Sequence, residues 1–120
     1  MFYVSTIILQ LKPGDVLLVN ACGSSIGRIF AQLSNILGFR LIAVVRNNNY
    51  TKELFQLGAS YVINTSEESL HNIVKELTNG IGVTSAIDSI GGVDRTELAS
   101  CVKPKGILLS LGLLSGTPVN

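Results

Sequence analysis

The sequence is short of charge and of the side chains that hold metals. Charged residues make up 14% of its 120 positions, and nine basic against eight acidic residues leave a formal net charge of +1. A domain that wraps nucleic acid must neutralise many phosphates, so this balance excludes that class and leaves any bound anion to local contacts. Cys22, Cys101 and His71 are the only thiols and the only imidazole. A structural zinc site takes about four such ligands and a catalytic one about three, so no metal site is expected within the chain. Two isolated cysteines make no disulfide framework, and Met1 to Leu11 lacks the basic start and cleavage pattern of a signal peptide. The expected location is therefore the cytoplasm. No apolar run approaches the roughly 20 residues that span a bilayer, so no membrane partner is expected.

What is present is apolar and periodic. Hydrophobic residues are 47% of the chain, and its length suits one domain with a full core. The turn Lys12-Pro13-Gly14-Asp15 feeds an apolar strand, Val16 to Val19. From Ile26 the apolar positions become Ile26, Ile29, Phe30, Leu33 and Leu37, a helical stripe ending at Gly38, which is placed as a left-handed cap. The alternation continues with a strand at Leu41 to Val45, a short helix at Thr51 to Leu57 stopped by Gly58, and a strand at Tyr61 to Ile63. Thr65 with Glu68 reads as a capping box for a helix carrying Leu70, Ile73, Val74 and Leu77 and closed by Gly80. Thr84 to Ile87 is a fourth strand, Thr96 to Val102 a helix stopped before Pro104, and Ile107 to Leu111 a fifth strand. Continuous apolar strands alternating with helices predict an α/β fold, a parallel sheet covered on both faces with right-handed crossovers.

In such sheets ligands bind beyond the carboxyl ends of the strands, where the strand order reverses. The loop from Asn20 through Ala21, Cys22, Gly23, Ser24, Ser25 and Ile26 to Gly27 consists almost wholly of small residues. A pyrophosphate needs that smallness, because backbone N–H groups at a helix N-terminus bind it and bulky side chains would hold it away. Against the GxGxxG pattern only the last glycine, Gly27, survives, and a small-residue turn without a ligand is the alternative. Arg46 follows the second strand about 20 residues beyond the loop, where an NAD site usually carries an acidic residue. No acidic residue occurs from Gly38 to Lys52. Arg46 can make a bidentate contact with a ribose 2′-phosphate, with Asn47, Asn48 and Lys52 beside it; otherwise it is a solvated loop arginine. Asp88-Ser89-Ile90-Gly91-Gly92 either lets the backbone approach a ribose or forms a tight turn with Asp88 capping the next helix. Gly112 with Leu113 and Leu114 either passes a nicotinamide ring or is a plain turn. His71 is expected on the solvated face of its helix and Cys101 in the core. No Gly-Lys-Ser/Thr of a P-loop is present, and neither Tyr50 nor Tyr61 has the lysine four residues on that marks short-chain dehydrogenases.

Taken with their spacing, Lys12 to Ala21, the small-residue loop, Leu57 to Asn64, Leu77 to Val83, Asp88 to Gly92 and Leu111-Gly112 resemble the cofactor domain of zinc-independent medium-chain dehydrogenases/reductases. Asn20-Ala21 and Val45-Arg46 look closest to the NADPH:quinone reductase and 2-enoyl thioester reductase branches. The resemblance implies a Rossmann-type, doubly wound, three-layer sheet of order 3-2-1-4-5 whose sixth strand is missing, with 11–120 as the dinucleotide-binding domain and 1–10 unassigned. It implies NADPH as cofactor, with Ser24, Ser25, Ile26 and Gly27 holding the pyrophosphate and Ala21, Cys22 and Gly23 also among the cofactor contacts. Arg46 and Asn48 would hold the 2′-phosphate, Ile90 and Gly91 would flank the ribose, and Leu111, Gly112, Leu113 and Leu114 the nicotinamide. The implied activity is hydride transfer to a quinone or an α,β-unsaturated carbonyl or thioester, with full-length relatives as homodimers. Such proteins carry a separate substrate-binding domain, and none of its substrate-orienting residues has a match here. The chain by itself is expected to be inactive, with catalytic residues unknown; a noncatalytic nucleotide-binding remnant or sensor is the alternative.

Overall fold

The computed structural model of the chain describes residues 12–20, 25–45, 51–88 and 93–110. Strands and helices alternate: β1 (Val16–Val19), α1 (Ser25–Leu37), β2 (Arg40–Val45), α2 (Thr51–Leu57), β3 (Tyr61–Asn64), α3 (Leu70–Leu77), β4 (Val83–Asp88), α4 (Val93–Ser100) and β5 (Val102–Ser110). The five strands form one sheet of order β3-β2-β1-β4-β5, with every neighbouring pair parallel. This is the doubly wound Rossmann-type order that the resemblance implied.

The apolar runs pack on both faces because successive side chains of a strand point to opposite sides. Along β2, Leu41, Ala43 and Val45 join Leu17, Val19, Phe30, Ala31, Leu33 and Leu54 under α1 and α2. Ile42 and Val44, from the same strand, join Leu18, Ile63, Leu70, Val74, Ala86 and Leu98 under α3 and α4. Each fully buried aliphatic or phenyl side chain contributes on the order of 1.5 to 3 kcal/mol. These two layers hold the sheet between the helices.

Gly38 ends α1 as expected, at φ +84°, with its N–H donating to Ser34 O at 2.9 Å. Two expectations are corrected. Thr65 and Glu68 form no capping box: α3 starts at Leu70 with Ser69 as its N-cap and no side-chain cap bond. Asn64 has taken over the turn, because its Oδ1 accepts from Ser66 N at 3.0 Å and Ser66 Oγ at 2.6 Å. Thr65 Oγ1 instead donates back to Val45 O at 3.3 Å.

The second correction concerns α4 and β5. The expected helix from Thr96 to Val102 ends earlier, at Ser100, and the strand expected at Ile107 starts at Val102. Val102 pairs with Val83 and Ile107 with Ser85, so residues 103–106 bulge outward against Thr84. Pro104 is accommodated because the bulge frees it from the ladder on a strand at the sheet's edge. Lys105 takes the left-handed conformation there, φ +69°.

Candidate functional site

All carboxyl ends of a parallel sheet lie on one edge, and here the strand order reverses between β1 and β4. β1 leads to α1 on one face of the sheet, while the chain leaves β4 for α4 on the other. A crevice must open where they part. The ladder closes with Val19 opposite Ile87, and Asn20 N donates a last backbone bond to Ile87 O at 3.3 Å. One residue further, Asn20 Nδ2 donates to Asp88 Oδ1 at 2.7 Å. Both side chains are almost entirely out of solvent, Asn20 2% and Asp88 0% exposed. Asn64, at the end of β3, is a third buried polar group on this edge.

Behind the crevice stands the N-terminus of α1, which begins at Ser25 directly after the small-residue loop. The first N–H groups of a helix lack intrahelical partners and carry the positive end of its dipole. No acidic residue occupies the first turn of α1, so no carboxylate of that turn competes for them. Gly27 is buried in this turn.

Of the expected cofactor contacts, Ser25, Ile26 and Gly27 form the first turn of α1. Ala21, Cys22, Gly23, Ser24, Arg46, Asn48, Ile90, Gly91, Leu111, Gly112, Leu113 and Leu114 lie outside the described residues. The described ends that precede them, Asn20, Val45, Asp88 and Ser110, share the carboxyl edge. Asn20 and Asp88 were not among the expected contacts. Their only sequence signal is a polar side chain where a doubly buried strand ends; capping the next helix is one of two open readings of Asp88, and its carboxylate accepts from Asn20.

The opposite edge holds a hollow of about 150 Å³ lined by His71, Lys75, Ser100 and Cys101 among others. Ser100 Oγ donates to Glu97 O at 2.7 Å and lies 3.5 Å from His71 Nδ1. His71 is exposed, as expected. Cys101 is a buried member of the core under α3 and α4. Burial pushes its thiol pKa up, Glu97 adds to the rise, and a hydrogen bond with Ser100 opposes it. A thiol held protonated is a poor nucleophile.

The chain is similar to several reductases. A crystal structure from Bacillus thuringiensis, described as that of an NADPH:quinone reductase, is 60% identical, superposes with a TM-score of 0.93, and is matched over 99% of this chain and 36% of its own. The Escherichia coli quinone oxidoreductase, solved in complex with NADPH, is 31% identical with a TM-score of 0.88, over 99% of this chain and 37% of its own. The 2-haloacrylate reductase of a Burkholderia species is 31% identical over 107 residues, 89% of this chain and 32% of the relative. The chain thus spans about a third of the length of the relatives it matches. Residues 25–120 match the model of the zinc-binding dehydrogenase family. Among the described residues no three of His, Cys, Asp and Glu converge. Cys101 is instead spent on the core. From the start of α1 to the last residue the chain follows that family's pattern, and it belongs to the zinc-binding dehydrogenase family, within the medium-chain dehydrogenases/reductases.

Proposed function

We propose that residues 11–120 are the NADPH-binding domain of an oxidoreductase that passes hydride to a quinone or an α,β-unsaturated carbonyl or thioester. The observation that carries this reading is the crevice between β1 and β4, with the N-terminus of α1 and its buried Gly27 behind it. Unpaired N–H groups and a positive dipole end suit a pyrophosphate. The NADPH bound to the E. coli relative and the unsaturated acid in the name of the Burkholderia one support the cofactor and the acceptor class.

In this reading Ala21, Cys22, Gly23, Ser24, Ser25, Ile26 and Gly27 surround the pyrophosphate. Arg46 and Asn48 hold the 2′-phosphate, Ile90 and Gly91 flank the ribose, and Leu111, Gly112, Leu113 and Leu114 border the nicotinamide. The cofactor supplies the hydride; the domain binds and orients it. No described helix is long and apolar enough to cross a membrane, and the same reading makes the protein cytoplasmic, acting on a small molecule, with its full-length form a homodimer. Calorimetric titration of the chain with NADPH and NADH tests it. Saturable NADPH binding, tighter than NADH, is expected; no binding of either would overturn it.

A further inference from the structure

We infer that Asn20 and Asp88 are a positioning pair that sets the width of the crevice between β1 and β4, and so the affinity for the nicotinamide dinucleotide proposed above. The inference rests on that NADPH reading. Their bond sits where the backbone ladder ends: Val19 and Ile87 are the last residues in register, and Asn20 N to Ile87 O, at 3.3 Å, is already longer than the usual 2.9 to 3.0 Å. Beyond it the two strands lead to helices on opposite faces of the sheet. The side-chain bond, 2.7 Å long and shielded from water, ties their ends together.

The chemistry of the pair points the same way. Taking a carboxylate fully out of water is costly unless it is well paired, and apolar side chains of similar size would hold two strands together at least as firmly. Leu17, Leu18, Val19, Ala86 and Ile87 do so on the same two strands. What an amide–carboxylate bond adds is direction and a fixed distance. That matters at a switch point, because displacing a bound reactant by about 1 Å can cost on the order of a hundredfold. Asn20 precedes the loop read as the pyrophosphate site, and Asp88 the segment read as the ribose site, so a change in their separation moves one half of the site against the other.

The test compares NADPH titrations of the wild-type chain, Asn20→Leu, Asn20→Ser and the exchanged pair Asn20→Asp with Asp88→Asn, each at a temperature where its melting curve shows it folded. Leucine keeps the branched shape and heavy-atom count of asparagine and removes the donor; the exchange keeps a donor facing an acceptor. Asn20→Leu is expected to weaken NADPH binding about tenfold, and the exchange to regain most of that loss. Should Asn20→Leu fail to fold, Asn20→Ser is expected to weaken binding at least about threefold. A purely structural pair would lower the melting temperature and leave the folded variants binding within about twofold of wild type, and that result overturns the inference. An exchanged pair as weak as the single variant also overturns it. A wild-type chain that binds no NADPH overturns the cofactor reading itself, and the positioning role with it.

Discussion

At the scale of single residues, the proposed function gives Arg46 a binding role, while Cys101 is held inert. Arg46 follows directly on the buried Val45 at the end of β2. In the proposed complex its guanidinium meets a 2′-phosphate carrying about −1.5 to −2 charge at neutral pH, by analogy with phosphomonoesters. NADH has no such group. Arg46→Ala is expected to weaken NADPH binding roughly ten- to a hundredfold and to leave NADH binding within about twofold, an effect that shrinks as salt rises. Calorimetry with both cofactors decides it, and equal losses would mark Arg46 as a solvated loop residue. Cys101 lies at the other extreme. Burial and Glu97 raise its pKa, so its thiolate forms only above the ordinary thiol range. Alkylation mapped by mass spectrometry is expected to reach Cys22 first at neutral pH and Cys101 only as the solution turns alkaline. The sign for stability follows: a thiol whose folded pKa is raised favours the folded state at neutral pH and loses that contribution as pH climbs through the raised value.

At the scale of elements, the contact between α1 and α2 depends on one glycine. Gly58 ends α2 at φ +130°, and a Cβ there would stand 2.6 Å from Ala31 O and 3.1 Å from Asn35 Cβ. Ser34 Oγ donates to Ala31 O at 2.7 Å, with Gly58 O at 3.1 Å as a second acceptor. Gly58→Ala therefore meets both backbone strain and a clash with main chain, and is expected to cost about 2 to 4 kcal/mol. Gly80, at φ +81°, has nothing within 4 Å of its would-be Cβ. Gly80→Ala is expected to cost only the conformational part, about 1 to 2 kcal/mol. Thermal melts of the two variants check the difference; equal losses would show that the α1–α2 contact gives way easily. The ion pair joining the same helices, Arg28 Nε to Glu53 Oε1 at 2.7 Å, is 39% and 45% exposed. Solvent screening holds such a pair to about 1 kcal/mol or less, so the glycine outweighs it.

At the scale of the whole molecule, the proposed function makes the crevice one wall of a reaction site. Hydride transfer needs the acceptor within about 3 to 3.5 Å of the donor carbon and shielded from water. The chain spans about a third of its relatives. The 120-residue chain is expected to bind NADPH without oxidising it. Consumption of NADPH with a simple quinone or a crotonyl thioester at about 1 per second or faster would refute this.

The sequence by itself determined the order of elements, because doubly buried strands read as unbroken apolar runs and helices as stripes of Phe30, Leu33 and Leu37 or Leu70, Val74 and Leu77. It also placed the left-handed stop at Gly38 and the core role of Cys101, since both follow from local spacing. Where local signals competed, the tertiary structure decided. Thr65 and Glu68 have the spacing of a capping box, yet the turn went to Asn64, anchored by β3 beside Val45. Pro104 reads as a helix stop, yet the pairing of Val102 with Val83 made it part of a bulge. The Asn20–Asp88 bond joins residues 68 positions apart. No local pattern encodes such a contact: it exists only because the crossover brings β4 beside β1, where a buried carboxylate meets the amide of Asn20.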